Sequence, residues 1–224
     1  MDNLSNLVNR ERYTMSTLET EETATIAAYN AIAERYADEA EPLHADGFIH
    51  HFRAGMPPDP LMLDVGCGFG RSIPIFGDMG IRRFVGIDPA EKLVAIGKRY
   101  WPAADFRIIG VYDLSSHFPQ EHFDAFWACT TLMHIPRHRM REALDAIRNV
   151  IKRGALGFIS VPAGEQTFQR WVGNHANEVE PRLTVNQWTL ETFRPILAAA
   201  RLSIIDNLSW QEDGEMLYIS VEAR

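Results

Sequence analysis

Between Leu61 and Val161 short apolar runs alternate with longer amphipathic ones, and this rhythm restricts the chain to few folds. LMLDV, FVGID, DFRII, FDAFWAC and ALGFISV have the length and side-chain content of strands. RSIPIFGDM, PAEKLVAIGKRY, with Pro89 in its first turn, and RHRMREALDAIRNVI have helical periodicity, and a loop through Pro119 separates DFRII from FDAFWAC. Strands spaced by helical patterns of roughly 10 to 15 residues imply βαβ units with right-handed crossovers. The expected fold class is therefore α/β, a doubly wound and mostly parallel sheet.

After Val161 the rhythm breaks into a polar, aromatic-studded insertion at about 163–188, followed by helix TLETFRPILAAA. RLSIIDNL and EMLYISVEA are then joined by SWQEDG, too short for a crossover helix, so they are expected to pair as an antiparallel hairpin. Upstream, Ile26, Tyr29, Ile32, Ala33 and Tyr36 recur on one face of a helix predicted from Glu19 to about Ala37, with acidic residues gathered at its start. A second helix is read through PLHADGFIHHF, before the loop AGMPPDP. The chain thus divides into a helical extension over residues 1–55 and a main domain over 56–224. The first 18 residues are expected either to be disordered or to order over bound ligand.

Composition removes several function classes. The 224 residues are 46% hydrophobic and 23% charged, enough for one sizeable core. A formal net charge of -8, with Lys and Arg scattered, offers no basic stripe for a phosphate backbone, so nucleic acid is not the expected partner. Cys67 and Cys129 are too few for a disulfide framework. The start, MDNLSNLVNRERY, lacks a signal-peptide core, and no run nears the ~20 apolar residues that span a bilayer. A soluble, cytoplasmic protein is expected.

The stretch LMLDVGCGFG carries Gly66, Gly68 and Gly70 directly after a strand, where backbone can approach a ligand that any Cβ would obstruct. Arg71 stands where a G-x-G-x-x-G dinucleotide fingerprint needs its third glycine, and no G-x-x-x-x-G-K-[ST] phosphate loop is present. The turn therefore suits a nucleoside without a pyrophosphate. Asp88 closes FVGID, where a carboxylate can accept both ribose hydroxyls. In VYDL, Tyr112 offers a ring to a purine and Asp113 an acceptor for its exocyclic amine.

With these motifs the chain resembles the class I, Rossmann-like S-adenosylmethionine-dependent methyltransferases, especially their bacterial small-molecule branch. LDVGCGFG matches the first family motif, VGID the acidic second-strand motif and FDAFWACTTLMHIP the fourth-strand motif, with likeness over roughly residues 20 to 222. The resemblance implies a seven-stranded sheet with an antiparallel last strand, and cofactor lying across the ends of strands one to four. It places the methionine part near Asp64, Gly66 and the Ala128–Cys129 backbone, and draws Cys67, Gly68, Gly70, Pro89 and Leu114 into the cofactor site. One departure is Arg153-Gly154-Ala155, where family members often carry Pro-Gly-Gly before strand five.

A sulfonium methyl is already activated, so such an enzyme mainly aligns a nucleophile and excludes water. Two lids are expected over the ligand: the N-terminal helix with Tyr29 and Tyr36, and the insertion with Phe168, Trp171 and Trp188. Tyr29 and Tyr36 either pack in the core or reach the cofactor carboxylate, and Trp171 and Trp188 are either pocket walls or core. His134, just beyond strand four, is either a general base, a substrate contact or a structural histidine. His138 reads as a solvated first-turn residue, Glu165 as a loop carboxylate or a substrate contact, and Cys67 and Cys129 as packing residues. His44, His50, His51, His117, His122 and His175 show no zinc-ligand spacing, so no metal is expected.

The expected activity is methyl transfer by in-line displacement from S-adenosylmethionine, leaving S-adenosylhomocysteine, to a small-molecule acceptor. Methylation of a tRNA base or a protein, and non-catalytic binding of the cofactor, are the alternatives. The oligomeric state stays open between monomer and homodimer.

Overall fold

The computed structural model describes residues 4–41, 43, 52–171, 182–210 and 216–224. Its strands are β1 (Leu61–Val65), β2 (Arg83–Asp88), β3 (Asp105–Ile108), β4 (Phe123–Cys129), β5 (Ile151–Pro162), β6 (Thr167–Trp171), β7 (Arg182–Asn186), β8 (Leu202–Trp210) and β9 (Met216–Ala223). The helices are α1 (Leu4–Glu39), α2 (Ile73–Asp78), α3 (Glu91–Tyr100), α4 (Leu114–His117), α5 (Met140–Val150) and α6 (Leu190–Ala199). Seven strands form one sheet in the order β3-β2-β1-β4-β5-β9-β8, with β1 to β5 parallel and β9 antiparallel to both of its neighbours.

Strand alternation sends side chains to two covered faces, which is why these strands read as nearly continuous apolar runs. Leu63, Val65, Phe126 and Ala128 pack with Leu144 and Ile147 of α5 and Phe193 and Leu197 of α6. Met62, Ala125 and Trp127 face the other way, onto Ile75 and Phe76 of α2 and onto Phe52. There Trp127 and Phe158 stack with ring centroids 3.9 Å apart.

The helices differ from the sequence reading at identifiable places. α1 runs back to Leu4, because the chain contains no Gly or Pro before Pro42 to stop it. α3 begins at Glu91 rather than at Pro89: Asp88 Oδ1 accepts the Ala90 N–H at 2.8 Å, and this bond turns the chain before the helix starts. α4 occupies part of the expected loop, too short at four residues to leave a periodic signal. β5 extends back to Ile151 across the unusual Arg153-Gly154-Ala155 turn, where Gly154 has φ +77° and the pairing with β4 shifts register. The helix read through PLHADGFIHHF and the tip of the final hairpin in SWQEDG lie largely outside the described residues.

The insertion contains a hairpin, β6 against β7, in register Phe168 with Val185 and Arg170 with Leu183. Buried Asn186 of β7 donates from Nδ2 to the carbonyls of Met133 and Ile135, both at 3.1 Å, fastening the hairpin to the segment after β4. α1 packs between α3 and β7. Asn30 Oδ1 accepts the Lys92 N–H at 3.0 Å, and Glu34 pairs with Arg99 at 2.7 Å on the surface. Helix and hairpin therefore stand together over the carboxyl ends of the strands. No helix among the described residues is long and apolar enough to cross a membrane.

Candidate active site

The glycine turn after β1 is bound to β2. The N–H groups of Gly66 and Cys67 both donate to the Ile87 carbonyl, at 2.8 and 3.0 Å, and Gly70 donates to the Cys67 carbonyl at 2.9 Å. The Gly68 N–H goes to Asp88 Oδ2 at 2.9 Å. With these donors engaged inside the fold, the turn is not the anion nest of a phosphate loop, in agreement with the missing fingerprint. Asp88 is nearly buried and holds the turn and the start of α3 in one carboxylate. Burial pushes its pKa up to about 6, against the two backbone donors that pull it down. Each oxygen keeps lone-pair capacity for a further donor.

Asp64, at the end of β1, is 2% exposed, and its Oδ2 is buried with no hydrogen-bond partner among the described residues. Burial first, then the Asp88 charge, pushes its pKa up to about 8. Such an orphan acceptor fits a cationic ligand group, which would replace the proton the carboxyl otherwise keeps. From about pH 4, the ordinary carboxylate value, to about pH 8 the folded chain binds more protons than the unfolded one, so this group's contribution to stability falls as pH rises. Asp64→Asn is therefore expected to raise Tm by a few degrees near pH 8 and by less near about pH 5, while weakening cofactor binding. Calorimetric melts at the two pH values check this; equal or lower Tm at the higher pH would remove Asp64 as a buried, charge-averse carboxyl.

Beyond the turn lies a cavity of ≈ 360 Å³ walled by the ends of β1 to β4 and roofed by α1. Of the predicted cofactor residues, Gly66, Asp88, Pro89, Tyr112, Asp113 and Tyr29 line it. Tyr112 donates its hydroxyl to Glu22 Oε1 at 2.5 Å, and the Arg139 guanidinium lies 3.6 Å from its ring centroid. Arg139 also pairs with Glu22 at 2.7 Å. One face of the Tyr112 ring is thus covered by a cation, and Glu22 pins α1 to the Tyr112 end of the cavity.

The remaining predicted residues support the wall from behind. Cys67 is buried against Val94 and Phe106, and burial pushes its thiol pKa well up, consistent with packing under the turn. Gly70 has φ +89° and sits against Ile73, Trp101 and Phe106. Leu114 and Ala128 are fully buried in the main core. Cys129 accepts from Ser160 Oγ at 3.3 Å. Ser160 also receives the Thr130 N–H at Oγ, 2.9 Å, and at its carbonyl, 3.1 Å. Those bonds hold Thr130 at φ +53°, a conformation a β-branched residue avoids, and aim the following residues toward the cavity.

One of them is His134. Its Nδ1 lies 2.7 Å from the Thr184 carbonyl, which can only accept, so the proton is on Nδ1 and Nε2 is the acceptor. The Tyr29 hydroxyl donates to that Nε2 at 2.9 Å. Burial lowers the His134 pKa to about 4, keeping the ring neutral, and raises that of Tyr29 far above its ordinary value. Tyr36 packs edge-on against Tyr29, centroids 5.5 Å apart, and against Phe69.

Tyr29 and His134 also line a second cavity of ≈ 610 Å³, which Tyr36, Arg71, Thr130 and Phe168 help to wall. Phe168 is therefore a wall residue, whereas Trp188 is core, 2% exposed and packed on Phe193. The Trp171 side chain, His44, His50, His51 and His175 lie outside the described residues. His138 and Glu165 are exposed and line neither cavity. Thr184, Glu22 and Arg139 lie in no motif, and the part played by Thr131, within the fourth-strand motif, emerges with theirs only from the fold.

A methyltransferase-domain family matches residues 63–159, the segment from β1 into β5. DhpI, solved in complex with S-adenosylhomocysteine, superposes with a TM-score of 0.72 at 17% identity over 91% of this chain and 97% of its own. The 1,6-didemethyltoxoflavin-N1-methyltransferase of Burkholderia thailandensis, with bound 1,6-didemethyltoxoflavin and S-adenosylhomocysteine, gives 0.67 at 18% identity over 94% and 89%. Magnesium protoporphyrin IX methyltransferase from Synechocystis PCC 6803, with bound S-adenosylmethionine, gives 0.67 at 15% over 91% and 97%. The domain match and the superposed structures agree over the same strands: the chain carries a methyltransferase-domain match and has the fold of the class I, Rossmann-like S-adenosylmethionine-dependent methyltransferases.

Proposed function

We propose that the protein transfers a methyl group from S-adenosylmethionine to a small molecule held in the ≈ 610 Å³ cavity. The observation that carries this reading is the meeting of two cavities at one shared wall, Tyr29 and His134. When bound, the cofactor supplies a methyl group already activated by its cationic sulfur. Asp88 would hold the ribose, Tyr112 and Asp113 the purine, and Asp64 the charged methionine end.

The chain's own residues then orient and enclose. α1 and the β6–β7 hairpin act as lids that keep water from the shared wall, where exclusion of solvent strengthens each polar contact. His134, with Nε2 engaged and its pKa lowered, is assigned a positioning role: it fixes the Tyr29 hydroxyl at the boundary. An acceptor that must lose a proton would pass it through Tyr29 rather than directly to the ring. The net charge of -8 and the walled cavity favour a small acceptor over tRNA or a protein surface.

Titration calorimetry of the purified protein, freed of copurified ligand, with S-adenosylmethionine and S-adenosylhomocysteine is expected to give micromolar binding of both. Failure to bind either one would sink the proposal. Binding without transfer to any of a broad acceptor panel would support the non-catalytic reading, and a salt-dependent shift of tRNA would support the nucleic-acid one.

A further inference from the structure

The wall of the larger cavity contributed by the hairpin has one discordant residue. Alternation along β6 and β7 turns Phe168, Arg170, Leu183 and Val185 to the cavity. Thr167, Gln169, Thr184 and Asn186 turn the other way, bonded to one another across the strands, Thr167 to Asn186 at 2.7 Å and Gln169 to Thr184 at 2.8 Å. Arg170 is thus the only charge on an otherwise apolar strip. Its guanidinium makes no ion pair or hydrogen bond among the described residues, and neither does that of Arg35, which faces the same space from α1.

The neighbouring charges answer this pair only in part. Glu39 and Glu41 also border the cavity, together with Arg71, whose Nε donates to the Glu41 carbonyl at 2.7 Å. The walls therefore carry one more cation than anion in a chain of net charge -8. The positive charge of Arg170 reaches the shared wall, where it adds to the burial that lowers the His134 pKa and slightly opposes the burial that raises the Tyr29 pKa. Both groups stay neutral, so neither compensates it. A guanidinium presents a planar fork of donors that matches a carboxylate or phosphate, and its effect is strongest beside apolar surface.

Resting on the reading of this cavity as the acceptor site, we infer that the acceptor is an anion, a carboxylate or phosphate on an apolar body. Arg170 and Arg35 bind the anionic group, and Phe168, Leu183 and Val185 bind the body.

The test uses benzoate, phenyl phosphate and the uncharged benzamide as probes, followed by ligand-observed NMR on the full chain, with and without S-adenosylhomocysteine. At least one anion is expected to bind, with benzamide at least tenfold weaker. Arg170→Gln and Arg35→Gln are each expected to weaken the anion roughly tenfold, Arg170→Lys by less, with Tm unchanged. The tighter of benzoate and phenyl phosphate identifies the anionic group. Equal binding of benzamide, unchanged anion binding in Arg170→Gln, or no anion binding at about 10 mM overturns the inference. Because the probes are also titrated without nucleoside, loss of the methyltransferase reading would show separately, as failure of the cofactor titration.

Discussion

Asp88→Ala is expected to abolish measurable binding of S-adenosylmethionine and S-adenosylhomocysteine while leaving the chain folded. Two ribose hydroxyls bonded to one carboxylate are worth about 1.5–3 kcal/mol each, so their loss costs about a hundredfold or more in affinity. The same change frees the N–H groups of Gly68 and Ala90, now held at 2.9 and 2.8 Å, and lets the glycine turn drift from β2. Because burial raises the Asp88 pKa to about 6, binding by the parent protein is also expected to weaken as pH falls through that value and the carboxylate gains a proton. Asp88→Asn should lie between parent and Ala: its amide oxygen keeps one backbone bond, whereas its NH₂ faces the other N–H as donor against donor. Calorimetric titration with thermal melts separates lost binding from lost folding. Wild-type affinity in a folded Asp88→Ala protein would overturn the placement of the ribose at β2.

What was legible in advance was local. Leu61–Val65 and Phe123–Cys129 are apolar on both faces, so a buried parallel strand is the simplest reading, and Asp88 ends its strand where ligands collect. The β6–β7 hairpin escaped notice although TFQRW and RLTVN do alternate, because polar side chains fill one face and a charge interrupts the other. The partnership of Tyr29 with His134 spans 105 positions, and no periodicity links residues so far apart. Trp188 illustrates the converse: its aromatic ring in a polar segment suits a pocket wall or core equally well, and only the packing on Phe193 and under the Arg137 guanidinium decides for core.

Gly66→Ala is expected to be the most damaging small substitution in the turn, and Gly80→Ala isolates the reason. Both glycines have φ +67°, so an alanine at either meets the same backbone penalty of about 1–2 kcal/mol. At Gly80 an added Cβ meets nothing within 4 Å, whereas at Gly66 it would fall 1.9 Å from Thr131 Oγ1 and 2.5 Å from Thr131 Cβ. Overpacking of this kind adds about 1–3 kcal/mol, so Tm is expected to fall on the order of 10 °C for Gly66→Ala and only a few degrees for Gly80→Ala. Thr131 lines the ≈ 360 Å³ cavity beside Gly66, so in the proposed placement of the cofactor the displaced side chain also enters the space a nucleoside needs. Binding of S-adenosylhomocysteine should therefore be lost at Gly66→Ala and kept at Gly80→Ala. Adding Thr131→Ala to Gly66→Ala leaves the Cβ contact in place and should restore little, while adding Thr131→Gly removes it and should recover stability down to the shared backbone penalty. If Gly66→Ala melts and binds like Gly80→Ala, the turn does not depend on a bare backbone at this position, and Thr131 has room to move that the present geometry denies it.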